Sequence, residues 1–156
     1  MLKLFLCIGV LALCIFLAFL LTRKYKQRRD FYYNFSLFNE RLLNEVSYAR
    51  APLPEFIGKY RFGGDFGKML EEKRVGGFRC ENYAFSYLKE NERKYLADYF
   101  GMIGKSDAAS QKTYLSAQRA EVDEQRRRAE EAYKKHFALY LKLGVLAGLI
   151  LVILIV

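Results

Sequence analysis

The chain has 156 residues, room for one modest domain, and lacks tryptophan. Its 26 Lys and Arg against 17 Asp and Glu give a formal charge of +9, with both signs mixed through the centre, which argues against a nucleic-acid-binding face. Three cysteines, an odd number, argue against a disulfide framework.

The apolar content is concentrated at the two ends. The first run, LFLCIGVLALCIFLAFLL from Leu4 to Leu21, is about 18 residues long and uncharged, close to the ~20 that span the hydrocarbon of a bilayer. Only Lys3 precedes it, the basic cluster TRKYKQRR follows it, and it has no small-residue cleavage site. LALC, Leu11 to Cys14, resembles a lipoprotein box only faintly, because Leu13 stands where a small residue is required. The run is therefore expected to be an uncleaved anchor. Cys7 and Cys14 share one face of this helix and read as small packing residues.

Behind it, Phe31, Phe35, Phe38, Leu42, Val46 and Ala49 recur at three- and four-residue steps and predict an amphipathic continuation of the same helix. Pro52 and Pro54 should end it, because proline removes a donor and restricts its predecessor. A short helix carrying Phe56, Ile57 and Tyr60 is expected from Pro54, ending at Gly63 and Gly64. A second short helix over DFGKMLEEKR has Asp65 as its expected cap, and the glycine-rich centre spans residues 62 to 79. FRCENYAFSYL and NERKYLADYFGMIG predict one kinked helix or two. From Ser106 onward there is no proline, so a single helix of about 50 residues is expected to run into the last apolar stretch, Phe137 to Val156. That stretch is apolar on every face, unlike a core helix, and Lys142 can snorkel to the headgroups. Tyr133, His136 and Tyr140 sit where an interfacial belt belongs.

Arg23, Lys24, Lys26, Arg28 and Arg29 follow the first run, and Arg126, Arg127, Arg128, Lys134 and Lys135 precede the last. The bias of basic residues places the middle segment in the cytoplasm and Val156 at the far face of the membrane. The expected fold is all-α: a transmembrane helix over residues 1–22, a small cytoplasmic helical bundle over 23–136, and a second transmembrane helix over 137–156.

Chemistry-bearing motifs are incomplete. GKS, Gly104 to Ser106, lacks the glycine of a phosphate loop, since Tyr99 occupies that position and no strand precedes it. DFG, Asp65 to Gly67, has none of the kinase loops that would give it meaning. His136 is the sole histidine, and no metal cluster or nucleophile–base set assembles. No catalytic, cofactor-binding or metal-ligating residue is expected, and no enzyme.

Three stretches carry a family resemblance: EVSYARAPLPEF from Glu45, YFGMIGKSDAASQ from Tyr99, and LGVLAGLILVILIV from Leu143. Together they resemble the stage III sporulation protein AB family. The matching residues are Glu45, Tyr48, Pro52, Leu53, Pro54 and Glu55 in the first, and Phe100, Gly101, Ile103, Gly104, Asp107 and Gln111 in the second. Ile103 replaces the family's leucine, Ala51 its threonine, and the expected central tryptophan is absent. The resemblance implies a non-enzymatic platform of a secretion-like sporulation channel linking mother cell and forespore, set in the outer forespore membrane on the mother-cell side. It implies a soluble domain similar to the cytoplasmic domains of type II secretion and type IV pilus platform proteins. It also implies a secretion-type motor ATPase as cytosolic partner, alongside other membrane components of the channel, with no cofactor and no nucleic acid. The competing reading is a basic membrane-anchored protein that binds anionic lipid without a motor.

The residues expected to shape structure or contacts are Pro52, Leu53, Pro54 and Glu55 at one turn and Gly101, Gly104, Asp107 and Gln111 at another. Gly104 can take positive φ, Asp107 can cap the long helix, and Gln111 can reach back to the preceding loop. Gly144 and Gly148 form a small-residue face that permits close helix approach, either to the first run through Gly9 or Ala12 or to another copy in a homo-oligomer.

Overall fold

Uninterrupted helix-forming sequence at both ends produces two very long helices. The computed structural model describes residues 2–48, 52–76 and 85–155. Ala49, Ala51, Cys80, Val156 and the end of the glycine-rich centre lie outside the described residues. The described fold is all-α, in the order α1 (Leu2–Tyr48), α2 (Leu53–Lys59), α3 (Gly64–Val75), α4 (Glu90–Met102) and α5 (Ala108–Ile155). No strand occurs among the described residues.

Local chemistry accounts for most boundaries. Pro52, extended at φ −58 and ψ 144, offers its carbonyl to the amides of Glu55 and Phe56 and so starts α2. Pro54 sits in the first turn, where its missing N–H costs nothing. Glu55 at the start and Lys59 at the end suit the helix dipole. α2 stops at Lys59, before the glycine pair, and Tyr60 is its C-cap. Gly63 caps α3, and Gly64 at its first position has φ +61. Asp65 is therefore inside the first turn of α3 and is not its cap; its carboxylate accepts the Tyr87 hydroxyl at 3.0 Å. Of the expected FRCENYAFSYL segment, residues 85–88 are not helical and the rest lies outside the described residues; the NERKYLADYFGMIG helix begins at Glu90.

The chain divides into two compact units. One comprises Met1–Lys26 with Ala129–Val156, the other Gln27–Arg128. Both long helices contribute to both units.

The second unit is built on aromatic packing. Phe31, Phe35 and Phe38 of α1 are fully buried, as are Phe56, Phe66 and Tyr99. Many rings meet edge to face, as their quadrupoles prefer: Phe35 on Tyr99 at 4.8 Å and 88°, Phe31 on Phe66 at 5.2 Å and 81°, Phe38 on Phe56 at 5.6 Å and 72°. Leu96, Leu115 and Val122 bring α4 and α5 into the same core. Gly67 is required by close approach. A Cβ there would lie 2.0 Å from the Phe62 carbonyl oxygen, so only glycine lets α3 fold against the segment that precedes it.

Candidate functional site

The polar residues of the bundle fall into joints that hold elements together and a turn that faces outward. Asn39 interrupts the apolar stripe of α1 because it has work to do: its Oδ1 accepts the Tyr99 hydroxyl at 2.7 Å, and its amide donates to the Leu115 carbonyl. One side chain thus ties α1 to α4 and α5. Burial holds the Tyr99 hydroxyl well above the usual phenol range. Ser36 donates to Asp123 at 2.7 Å, a second α1–α5 tie.

Arg28 of α1 and Glu92 of α4 form a 2.5 Å ion pair in which the carboxylate is only 6% exposed. Burial pushes the Glu92 carboxyl up, but the guanidinium and the Lys89 amide, 2.8 Å from Oε2, outweigh it and hold it below its ordinary value. At the far end of α1, buried Glu45 accepts Lys59 Nζ at 3.0 and 3.1 Å and the Tyr60 hydroxyl at 3.2 Å. Arg41 lies over the rings of Tyr60 and Phe62 at 5.0 and 5.6 Å. Lys73, also buried, places its ammonium 5.3 Å above Phe100. None of these joints is visible as a spacing motif. The available signal is a polar residue at an apolar position of an amphipathic helix, as at Asn39 and Glu45.

Glu45 therefore belongs to the fold, tying the end of α1 to the end of α2, whereas the described residues on either side of the α1–α2 connection are mostly exposed. Tyr48 is 89% exposed; Pro52, Pro54 and Glu55 are exposed and Leu53 half-buried. A cleft of about 450 Å³ lies beside this region, lined by Ile57, Tyr60, Arg61, Phe62, Leu70 and Arg74 among others.

The α4–α5 turn brings three of the expected residues together. Gly104 has φ +77, the left-handed region that favours glycine. Its amide donates to Gln111 Oε1 at 2.8 Å, and Gln111 is buried one turn into α5. Asp107 Oδ2 accepts the amides of Ala109 and Ser110 at 3.1 and 3.3 Å, capping α5, and hydrogen bonds from Ser110 and Ala109 hold its carboxyl below the ordinary range. Lys105 and Ser106 are exposed in this turn, which follows a helix, not a strand. A Cβ at Gly101 would meet open space, so packing does not demand glycine there.

In the other unit, the apolar start of α1 pairs with the apolar end of α5. A Cβ at Gly144 would stand 3.1 Å from both the Cys14 carbonyl oxygen and the Ala18 Cβ; one at Gly148 would stand 3.0 Å from Leu11. The glycine face thus receives Leu11, Cys14 and Ala18. Gly9, one of the partners expected from sequence, has nothing within 4 Å of its own Cβ position, so it does not take part. Toward the other end of this pair the Tyr25 and His136 rings stack at 4.0 Å and 17°, with Tyr140 6.0 Å from His136 and Phe19 against Phe137 at 5.8 Å.

Both long helices contain a stretch long and apolar enough to cross a membrane. Only 11% of one apolar window and 6% of the other is buried, which is the reverse of a soluble core helix. Residues 79–156, half of the chain, match the family model of stage III sporulation protein AB. The chain belongs to the stage III sporulation protein AB family. Comparison with curated proteins and with solved structures returns no match. This sporulation protein is membrane-associated, as its two exposed apolar helices indicate. The matched half contains the Gly104–Asp107–Gln111 turn and the Gly144/Gly148 face; the Pro52–Glu55 turn lies outside it.

Proposed function

We propose that this member of the stage III sporulation protein AB family is a non-enzymatic membrane platform of a secretion-like channel between mother cell and forespore. On this reading its bundle lies in the mother-cell cytoplasm and couples a secretion-type motor ATPase to membrane components. The observation that carries the reading is the division of labour along α1 and α5. Each helix contributes an exposed apolar stretch to one unit and a polar-jointed, buried face to the other, aromatic on α1 through Phe31, Phe35 and Phe38 and aliphatic on α5 through Leu115 and Val122. That arrangement suits a protein whose task is to hold two environments together. The exposed residues Tyr48 at the end of α1 and Pro52, Pro54 and Glu55 at the start of α2 are the motor-facing candidate, because Glu45 holds the end of α1 to Lys59 and Tyr60 at the end of α2 and so presents them from a fixed pair of helices.

The test is co-reconstitution of the full chain in lipid nanodiscs with the secretion-type ATPase of the same host. Co-migration and a changed ATP turnover are expected, and Tyr48→Ala with Glu55→Lys should weaken both. An ATPase that neither binds nor responds would remove the motor coupling. The chain alone should not hydrolyse ATP; turnover abolished by Lys105→Ala would overturn the non-enzymatic reading.

A further inference from the structure

We infer that the cationic end of the apolar helix pair is a binding site for the headgroup of an anionic phospholipid. The inference rests on the membrane placement of the pair and not on the motor coupling.

The contacts across the pair fix which residues share a level. Leu11 and Cys14 meet Gly148, Ala18 meets Gly144, and Tyr25 stacks on His136, so the two segments run antiparallel. Arg23, Lys24 and Lys26 therefore stand beside the same turn of α5 as Lys135. Lys142 lies six residues beyond His136, about 9 Å deeper at 1.5 Å per residue, and a lysine stem can return most of that distance. All five side chains are exposed, and none has an acidic partner among the described residues. The nearby carboxylates do not neutralise them. Glu130 is engaged by Lys134 at 2.9 Å, and Glu131, four residues before Lys135, closes no ion pair with it.

Pairing the helices thus gathers like charges that the protein itself does not compensate. A phosphate-bearing anion would supply the missing charge. The surface adjoining the collar says which kind. Leu20, Leu21, Leu139 and Leu143 are 46%, 58%, 47% and 50% exposed and continue directly from the cations into the apolar stretch. A molecule with an anionic head and an apolar tail satisfies both surfaces; free phosphate satisfies only the first. The stacked Tyr25, His136 and Tyr140 rings sit at the boundary where such a headgroup would lie.

The experiment uses the full chain in nanodiscs of phosphatidylcholine mixed with phosphatidylglycerol. The protein is extracted in mild detergent, and the retained lipids are counted by mass spectrometry. Phosphatidylglycerol should be enriched over phosphatidylcholine. Replacing Arg23, Lys24, Lys26, Lys135 and Lys142 by Gln should reduce that preference by on the order of tenfold or more, given the strength of each basic side chain at an anionic surface. A second variant with Lys24→Arg, Lys26→Arg, Lys135→Arg and Lys142→Arg keeps the charge and should keep the preference, separating charge from folding. Equal retention of the two lipids by the wild type, or an enrichment that survives in the Gln variant, would overturn the site. Inorganic phosphate added before extraction is the arm for the other source. If it displaces phosphatidylglycerol at moderate concentration, the collar takes free phosphate and the lipid assignment fails; displacement by a soluble acidic polypeptide instead would make the collar a protein contact.

Discussion

The two units of this chain solve opposite packing problems with the same two helices. Between residues 27 and 128, large aromatic side chains are buried and polar ones are spent on joints such as Asn39–Tyr99 and Arg28–Glu92. In the other unit large apolar side chains point outward and the smallest residues, Gly144, Gly148, Cys14 and Ala18, lie between the helices. Water drives the first arrangement by expelling apolar surface. Lipid gives no such drive, so close backbone contact has to supply the association in the second. A residue's exposure therefore has a different meaning in each unit.

Substitutions that add bulk where the backbone is closest should break this comparison most severely. Gly67→Ala places a methyl against the Phe62 carbonyl and cannot be relieved by a side-chain rotation. It should cost upwards of about 4 kcal/mol, the range of severe core defects, seen as loss of the bundle's cooperative thermal transition. In the lipid-facing unit the corresponding change is Gly144→Ile, which meets the Cys14 carbonyl. At Gly148 the tight neighbour is the flexible end of Leu11, with Cys14 Cβ in ordinary contact at 3.6 Å, so this position tolerates a small side chain. The reporter is a disulfide between Cys14 and the thiol introduced by Gly148→Cys, whose Cβ atoms would be 3.6 Å apart, within the disulfide range. Gly144→Ile should strongly reduce that crosslink while leaving membrane insertion intact; an unchanged crosslink would mean that the glycines are incidental.

The next effect sharpens the contrast through charge. Glu92 has a depressed pKa in the folded bundle, so its contribution is complete above its ordinary value of 4.5 and is lost as pH falls through the lower folded value. Glu92→Gln should cost about 3 kcal/mol at neutral pH by leaving Arg28 without its counter-charge. It should also flatten the acid side of the stability profile below that value. A profile identical to the wild type would show that the pair is not coupled to folding. The smallest effect is expected at the turn. Asp107→Ala removes an exposed cap and should lower the bundle's melting temperature by only a few degrees, with helix content unchanged. No change would leave Asp107 as a contact residue.

The sequence was legible where a single physical rule dominated. Proline placement marked the end of α1, the absence of proline gave α5, and the Gly104–Asp107–Gln111 turn followed from local hydrogen-bond chemistry. The glycine face was legible as a face, but not its partners. Helix rotation depends on both helices at once, and the notch took Leu11, Cys14 and Ala18, with Gly9 left outside it. Asp65 was misread because a cap is defined by backbone geometry, and Gly63 already provided it, freeing the carboxylate for Tyr87. The joints Arg28–Glu92 and Asn39–Tyr99 span 64 and 60 residues, distances at which spacing carries no information.

If the two units face different solvents, two positions of nearly equal exposure will behave differently toward a reagent confined to water. Phe16 in the apolar pair is 58% exposed and Tyr33 in the bundle 57%. In membranes containing the chain without Cys7, Cys14 and Cys80, each position is replaced in turn, Phe16→Cys and Tyr33→Cys, and treated with a water-soluble thiol reagent. Rapid labelling is expected at Tyr33→Cys and none at Phe16→Cys until the bilayer is dissolved in detergent; equal labelling of both in the intact membrane would mean that the two units share one solvent.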